Sequence, residues 1–403
     1  MMKDGFLFMA ALIIVLGAGI LRPGNVWAKT SAEATSAGEE LMPTLADEQW
    51  QKAANEEFQA FMDELNRQIE PYFPPLDWNT LMDGEQRARF FDPIHWLQLT
   101  WRLLLDDLLR NSSLLAQMMA LAILGLLLQH LHSAFANESV GKLSETVVHM
   151  VLLALALASF YVALNTAREV VGDLVDFMLA SLPLMISLLV SSGGMVSAGV
   201  MSPLLFLLAN TVNVVIANWV LPLLFFAALL QIIPSLSSQF RFDRLAQLVR
   251  QVAMGLLMAV MGIFVAAISL QGAAGAVADS LGLRTVKYAA KSFVPVVGGM
   301  FADASELVFS SSILLRNGLG LVGLMVVILI VFFPIVKLLA MILIYRAGAA
   351  VIQPLGADRV VADLSAIAQA LTLITVCVGA AGMMAFLVIA ILVGIGNIGV
   401  MMR

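Results

Sequence analysis

Four ionisable residues stand out in this chain because of their apolar surroundings. Asp303 and Glu306 sit three residues apart in "FVPVVGGMFADASE", Arg316 follows, and Lys337 lies inside a later apolar run. A spacing of three puts both carboxylates on one face of a helix. Pro295 and the pair Gly298–Gly299 disfavour a single continuous helix through the same stretch. Charged groups in such a setting are costly, and they face a cavity, a bundle interior or one another. The chemistry open to them is conduction or gating by a re-entrant, polar-lined element, and an interfacial loop with wet carboxylates is the plainer alternative. For Lys337, snorkelling toward headgroups stands beside an ion pair with Asp303 or Glu306.

Bond-making chemistry finds little support. His130, His132 and His149 lie near Glu138 and Glu145, but their spacing fits no standard ligand set, so no metal is expected. The run Ser310–Ser312 lacks a neighbouring base to activate a hydroxyl. Gly318, Gly320 and Gly323 match GxGxxG, yet a dinucleotide site needs a preceding strand and a βαβ unit. At the head of an apolar helix these glycines read as close helix packing. No Walker A motif occurs, so ATP-driven work must come from a partner. The chain is expected to be no enzyme and to need no cofactor, and nothing points to nucleic acid.

The elements that must hold these residues are helices in a lipid bilayer. Of 403 residues, 61% are hydrophobic and 12% charged, and the mean hydropathy is +0.94. A soluble domain carries roughly 25% charged residues. No Asp, Glu, Lys or Arg occurs between Asp176 and Arg241 or between Asp363 and Arg403. One span needs about 20 apolar residues, so the fold class is all-α, a polytopic helical membrane protein of about seven passes.

Three regions follow. Residues 1–28 read as a signal peptide: Lys3, an apolar run from Phe6 to Ile20, then small residues at Val26 and Ala28. A retained anchor is the alternative, and in both cases the next segment is exported. Residues 29–112 carry 16 acidic against seven basic residues, an imbalance that suits the exocytoplasmic side. Trp50, Ala54, Phe58, Phe61, Leu65 and Ile69 form the stripe of an amphipathic helix that "PYFPP" ends. Asp92–Pro93 caps a second helix with face Ile94, Leu97, Trp101, Leu104, Leu105 and Leu108. Trp96 and Trp101 sit at headgroup level or pack on the membrane domain. Lys29–Pro43 is small, polar and acidic, and reads as flexible.

Residues 113–403 form the membrane domain. Its expected spans begin with Leu114–Leu131 and Val147–Leu164. The long charge-free run, broken by Pro183, Gly193–Gly194, Pro203 and Pro222, makes three passes or one pass plus re-entrant pieces. A basic amphipathic segment with Arg241, Arg244 and Arg250 belongs on the cytoplasmic surface. Val252–Leu270, Leu319–Tyr345 (interrupted by Pro334 and Lys337) and Leu371–Ile395 complete the set. Pro183 and Pro295 are 112 residues apart, as are Pro222 and Pro334, which suggests an internal repeat of about 174–270 and 286–396. Matching interrupted segments in two halves point to discontinuous helices around a transport path.

The stretches "KSFVPVVGGMFADASELVFSSSILLRNGLGLVG" and "FPIVKLLAMILIYRAGAAVIQPLGADRV" resemble the stage III sporulation protein AE family, through Pro295, Gly298–Gly299, Asp303, Asn317–Gly318, Pro334, Lys337 and Gln353–Pro354. The resemblance is strongest over about 270–360. It implies a multi-pass component of the mother-cell membrane around the forespore. Its implied partners are the other stage III A proteins, with a separate secretion-type ATPase and ring-forming subunits, and through the complex the forespore stage II Q protein. The implied role is an intercellular channel supporting late forespore development, with no catalytic residue. A stand-alone secondary transporter is the rival reading.

Overall fold

The computed structural model describes residues 56–73, 75–76, 92–113, 116–117, 119–120, 123–124, 138–191, 195–236, 242–293, 297–356 and 358–401. The signal segment, Trp50, Ala54, Gly193, Gly194, Arg241, Pro295 and most of Leu114–Leu131 lie outside them. Among the described residues every regular element is helical.

Two short helices come first among the described residues. α1 is Glu56–Ile69, with Phe58, Met62, Leu65 and Ile69 buried at helical spacing. It ends where Pro71 cannot continue the ladder, and the chain turns back as Asn66 Oδ1 accepts a 2.8 Å hydrogen bond from Leu76 N–H. α2 is Pro93–Arg110, and Asp92 caps it by accepting from Ile94 N–H at 2.9 Å. Proline at the first helical position costs nothing because its missing N–H would have been unsatisfied.

The bundle is built from longer rods: α3 (Glu138–Ser191), α4 (Met195–Val215) continued by α5 (Leu221–Leu236), α6 (Asp243–Phe293), α7 (Val297–Ile352) and α8 (Asp358–Met401). Among the described residues, five stretches are long and apolar enough to cross a membrane: Leu157–Ser191, Met195–Ile233, Asp243–Gln271, Arg316–Ile352 and Asp358–Gly394. α8 is the central one, packed against α3, α5, α6 and α7. Its sequence has no polar stripe, which is what a helix contacted on every side requires. Leu371, Ile374, Cys377, Val378, Ala381, Met384 and Val388 are all buried.

The α7–α8 interface is the most extensive, and small residues set its closeness. A Cβ at Gly320 would overlap Val393 Cγ2, one at Gly323 would sit 3.3 Å from Ile389 Cδ1, and one at Gly382 would lie 2.6 Å from Val331 Cγ2. The glycines of the GxGxxG stretch therefore let two helices approach, as their position at the head of an apolar helix suggests.

Several expected interruptions are absorbed into continuous helix. Val147–Leu164 is not a separate pass but part of the 54-residue α3, about 81 Å long at 1.5 Å per residue. The charged segment beyond it stays helical because Arg168, Glu169, Asp173 and Asp176 fall on the exposed side, while Val170, Val171, Leu174 and Phe177 fall on the buried side. The charge-free run gives two helical rods rather than three passes. Pro183 lies inside α3, Pro203 inside α4 and Pro334 inside α7. Pro222 follows a π turn, Ile216–Val220, where Leu221 N–H reaches back to Ile216 O. That wider turn takes up the register left by a residue with no N–H to donate. Gly298 and Gly299 lie in the first turn of α7, and Asp303, Glu306 and Lys337 share that one helix. Glycine costs only about 1 kcal/mol in a helix, which a long packed rod overrides.

Candidate functional site

Polar residues converge where α2 and α3 meet α7. Lys337 stands three residues after Pro334, and its ammonium-bearing side chain is exposed while Val336 and Leu338 on either side are buried. On α3, Glu169 and Asp173 are four apart and so share a face. α2 brings Asp107, half-buried, from the other side. These groups, with Thr166, Pro334 and apolar walls from Leu103, Val170 and Phe333, line an open cleft of about 300 Å³. Three carboxylates and one ammonium make its lining net negative.

The electrostatics of Asp107 follow from this placement. Burial raises its pKa from 3.8, against the lowering influence of Lys337 and Arg110, and Asp106 next to it adds to the rise. Burial is the larger influence, so the charged form is disfavoured here relative to a free carboxylate.

Lys337 therefore finds its charged neighbours on α2 and α3. An ion pair with Asp303 or Glu306 within the chain is geometrically impossible. Both lie on the same helix as Lys337, at least 31 residues away, or roughly 46 Å at helical rise. Arg316, also on α7, is wholly buried at the start of its apolar span.

Aromatic rings hold the site together. Trp96 of α2 stands edge-on to Phe332 at 4.8 Å, Tyr72 lies 5.4 Å from Phe333, and Phe73 lies 5.0 Å from Trp96. Phe58 and Phe61 of α1 meet Phe177 of α3 at 6.3 and 5.3 Å. The two tryptophans thus divide: Trp96 packs on the bundle, whereas Trp101 is 65% exposed on the opposite face of α2. Pro334 is the link between cleft and packing. It cannot donate to the carbonyl four residues back, and it follows directly on the Phe332–Phe333 pair held by Trp96 of α2 and by Tyr72 in the turn after α1.

A second, smaller cleft of about 150 Å³ lies between α5, α6 and α8. Gln231, Asp243, Gln247, Arg250 and Gln369 line it, facing a wall of alanines. Arg244 is exposed beside Leu245 and Leu248, which are also exposed, the pattern of a helix start at a membrane surface.

Sequence reasoning picked out Lys337 and Pro334 but not their neighbours. Glu169, Asp173 and Asp176 do form a readable stripe at spacings of four and three. Asp107 gave no signal, because its meeting with Lys337 depends on how α2 crosses α7. The clustering of Gln231, Gln247 and Gln369 likewise needs three helices to be brought together.

Comparison with known proteins gives a consistent result. The family model for stage III sporulation protein AE matches residues 78–396. A Bacillus subtilis (strain 168) protein described as stage III sporulation protein AE is 34% identical over 403 residues, covering the whole of both chains. No solved structure is matched.

Proposed function

The chain belongs to the stage III sporulation protein AE family, and from that premise we propose that it is the integral membrane component of a channel or export apparatus linking mother cell and forespore. It works there without catalysis of its own, in the multi-pass bundle, with its N-terminal region opening to the exocytoplasmic side. A separate ATPase and ring-forming subunits of the same complex supply energy and the extracellular conduit, and the forespore partner completes the passage.

The observation that carries this reading is the docking of α1 and α2 on the bundle at Phe177, Phe332 and Phe333. It fixes a soluble-type surface to membrane helices beside a charged cleft. Such a platform suits a chain that must join partners outside the bilayer to a path through it. We assign Pro295, Gly298, Gly299, Asp303, Glu306, Arg316 and Lys337, with Pro183, Gly193, Gly194, Pro222 and Pro334, to that path and its hinges.

The test is genetic and biochemical. Deleting the gene in a sporulating host is expected to leave engulfment intact, stop late forespore transcription and abolish heat-resistant spores. The tagged protein is expected to bring down the ATPase and ring subunits from sporulating membranes. Normal spore yield in the deletion strain would refute the proposal. Solute flux by the purified chain alone in liposomes would replace it with the transporter reading.

A further inference from the structure

One cross-section of the bundle makes opposite demands on its surroundings. Phe177 of α3 marks the level. A Cβ on Gly323 of α7 would touch it at 3.7 Å, and its neighbours Leu174, Val175 and Met178 share a small cavity with Ala209 and Val212 of α4 and Phe264 of α6. This level falls within the stretches of α3, α4, α6 and α7 that are long and apolar enough to cross a membrane, one residue beyond Asp176 on α3.

On one flank, α1 docks against Phe177 through Phe58 and Phe61 and runs to Tyr72 beside Phe333. It packs on α3, and its level runs from that of Gly323 toward that of Phe333. Its outward face carries Asp63, Glu64, Arg67, Gln68 and Glu70, all exposed. Arg67 pairs with Glu64 at 3.0 Å, yet their side chains remain 73% and 58% exposed. The exposed charges Glu169, Asp173 and Asp176 of α3 continue this polar flank. Acyl chains cannot cover such a surface, because charged groups at bilayer depth face protein or water.

On the other flank, at the same level, α4 presents Phe206 and Leu207, 56% and 62% exposed, and α6 presents Ile263, 66% exposed. This apolar surface extends along both helices through Val200, Met258 and Leu270. Water is a poor neighbour for an apolar patch of that extent.

Neither a lone chain in lipid nor a bundle end standing in water satisfies both flanks. Resting on the reading above, we propose that several copies of this chain close around an aqueous lumen lined by α1 and the polar face of α3, with α4 and α6 turned to lipid. Second copies are the occupants that this pattern fits, since one chain supplies both a wet wall and a lipid wall, the two surfaces each member of a closed ring needs.

The experiment uses the full-length chain in phospholipid nanodiscs, with nitroxide labels at single cysteines introduced as Arg67→Cys, Glu64→Cys or Ile263→Cys. Cys377 is wholly buried and is kept, or replaced by alanine if it takes up label. Labels at positions 64 and 67 are expected to collide with a water-soluble nickel chelate, and the label at 263 with oxygen dissolved in lipid. Position 67 is also expected to give an inter-chain dipolar signal that vanishes on dilution with unlabelled chain. Nickel reaching position 263 would overturn the proposal by placing this level outside the bilayer. Absence of the inter-chain signal at both 64 and 67 would overturn it by assigning the wet flank to a different protein. These readouts do not depend on sporulation. A negative result with the deletion phenotype intact removes the lumen and leaves the apparatus reading standing.

Discussion

At the scale of single residues, the informative positions are those where one side chain decides a contact. Gly382 meets Val331 so closely that any Cβ must displace it. Gly382→Leu is expected to cost about 1–3 kcal/mol through overpacking, read as a lowered unfolding midpoint in detergent. Gly172 has open space around its would-be Cβ, so Gly172→Ala is expected to stabilise α3 by roughly 0.5–1 kcal/mol. Asp107 gives a pH dependence whose sign is fixed by its raised pKa. Below the usual carboxylate range the acid is neutral in both folded and unfolded chain, and the α2 contact is at full strength. As pH climbs through the raised value, the contact must hold a charge it disfavours, and the stabilisation is lost. Asp107→Asn is expected to flatten this decline, measured as protease resistance of α2 across a pH series. Lys337→Met would leave Asp107, Glu169 and Asp173 without their ammonium. Spore yield is expected to fall while the protein still accumulates in the membrane. Lys337 and Pro334 were legible as unusual residues in an apolar run. Their partners were not, since Asp107 is 230 positions away in sequence from Lys337 and no local pattern encodes that meeting.

At the scale of elements, the amphipathic stripe of α1 and the cap of α2 could be read directly, because each depends on residues within a few positions of one another. Helix length could not. Proline, glycine and charge each argue for a break, but packing along a rod decides whether the break occurs. Pro183, Pro203, Pro222 and Pro334 are all carried within helical rods, one of them by means of a π turn. The aromatic contacts of the N-terminal helices make a further expectation. Phe73 is 3% exposed, touching His95 and Trp96. Phe73→Ala is expected to cost roughly 3–5 kcal/mol of local stability. Limited proteolysis would show this as cutting near α1 and α2 at protease levels that leave the unaltered chain intact. The bundle itself should persist, since α8 packs on α3, α5, α6 and α7.

At the scale of the whole molecule, the distribution of polarity around the bundle matters more than its average. The apolar windows of α3, α7 and α8 are each 61% buried, whereas those of α4–α5 and α6 are 39% and 22% buried. The outer pair therefore forms the lipid side and the inner three form the packed core. A cluster of leucine-to-glutamine changes at exposed α6 positions such as Leu248 and Leu270 is expected to impair membrane insertion. Ala60→Gln on the exposed face of α1 is expected to leave insertion unaffected, with carbonate extraction as the measure. By itself the sequence determined that this is an all-helical membrane protein with an acidic N-terminal region, because composition and charge-free runs depend only on what residues are present and how they follow one another. Only the tertiary structure decided that α3 and α7 run unbroken, that Lys337 faces Asp107, and that the charged helix α1 lies along apolar rods. Those outcomes depend on which helix packs beside which, and the energy of that packing is shared among residues far apart in the chain.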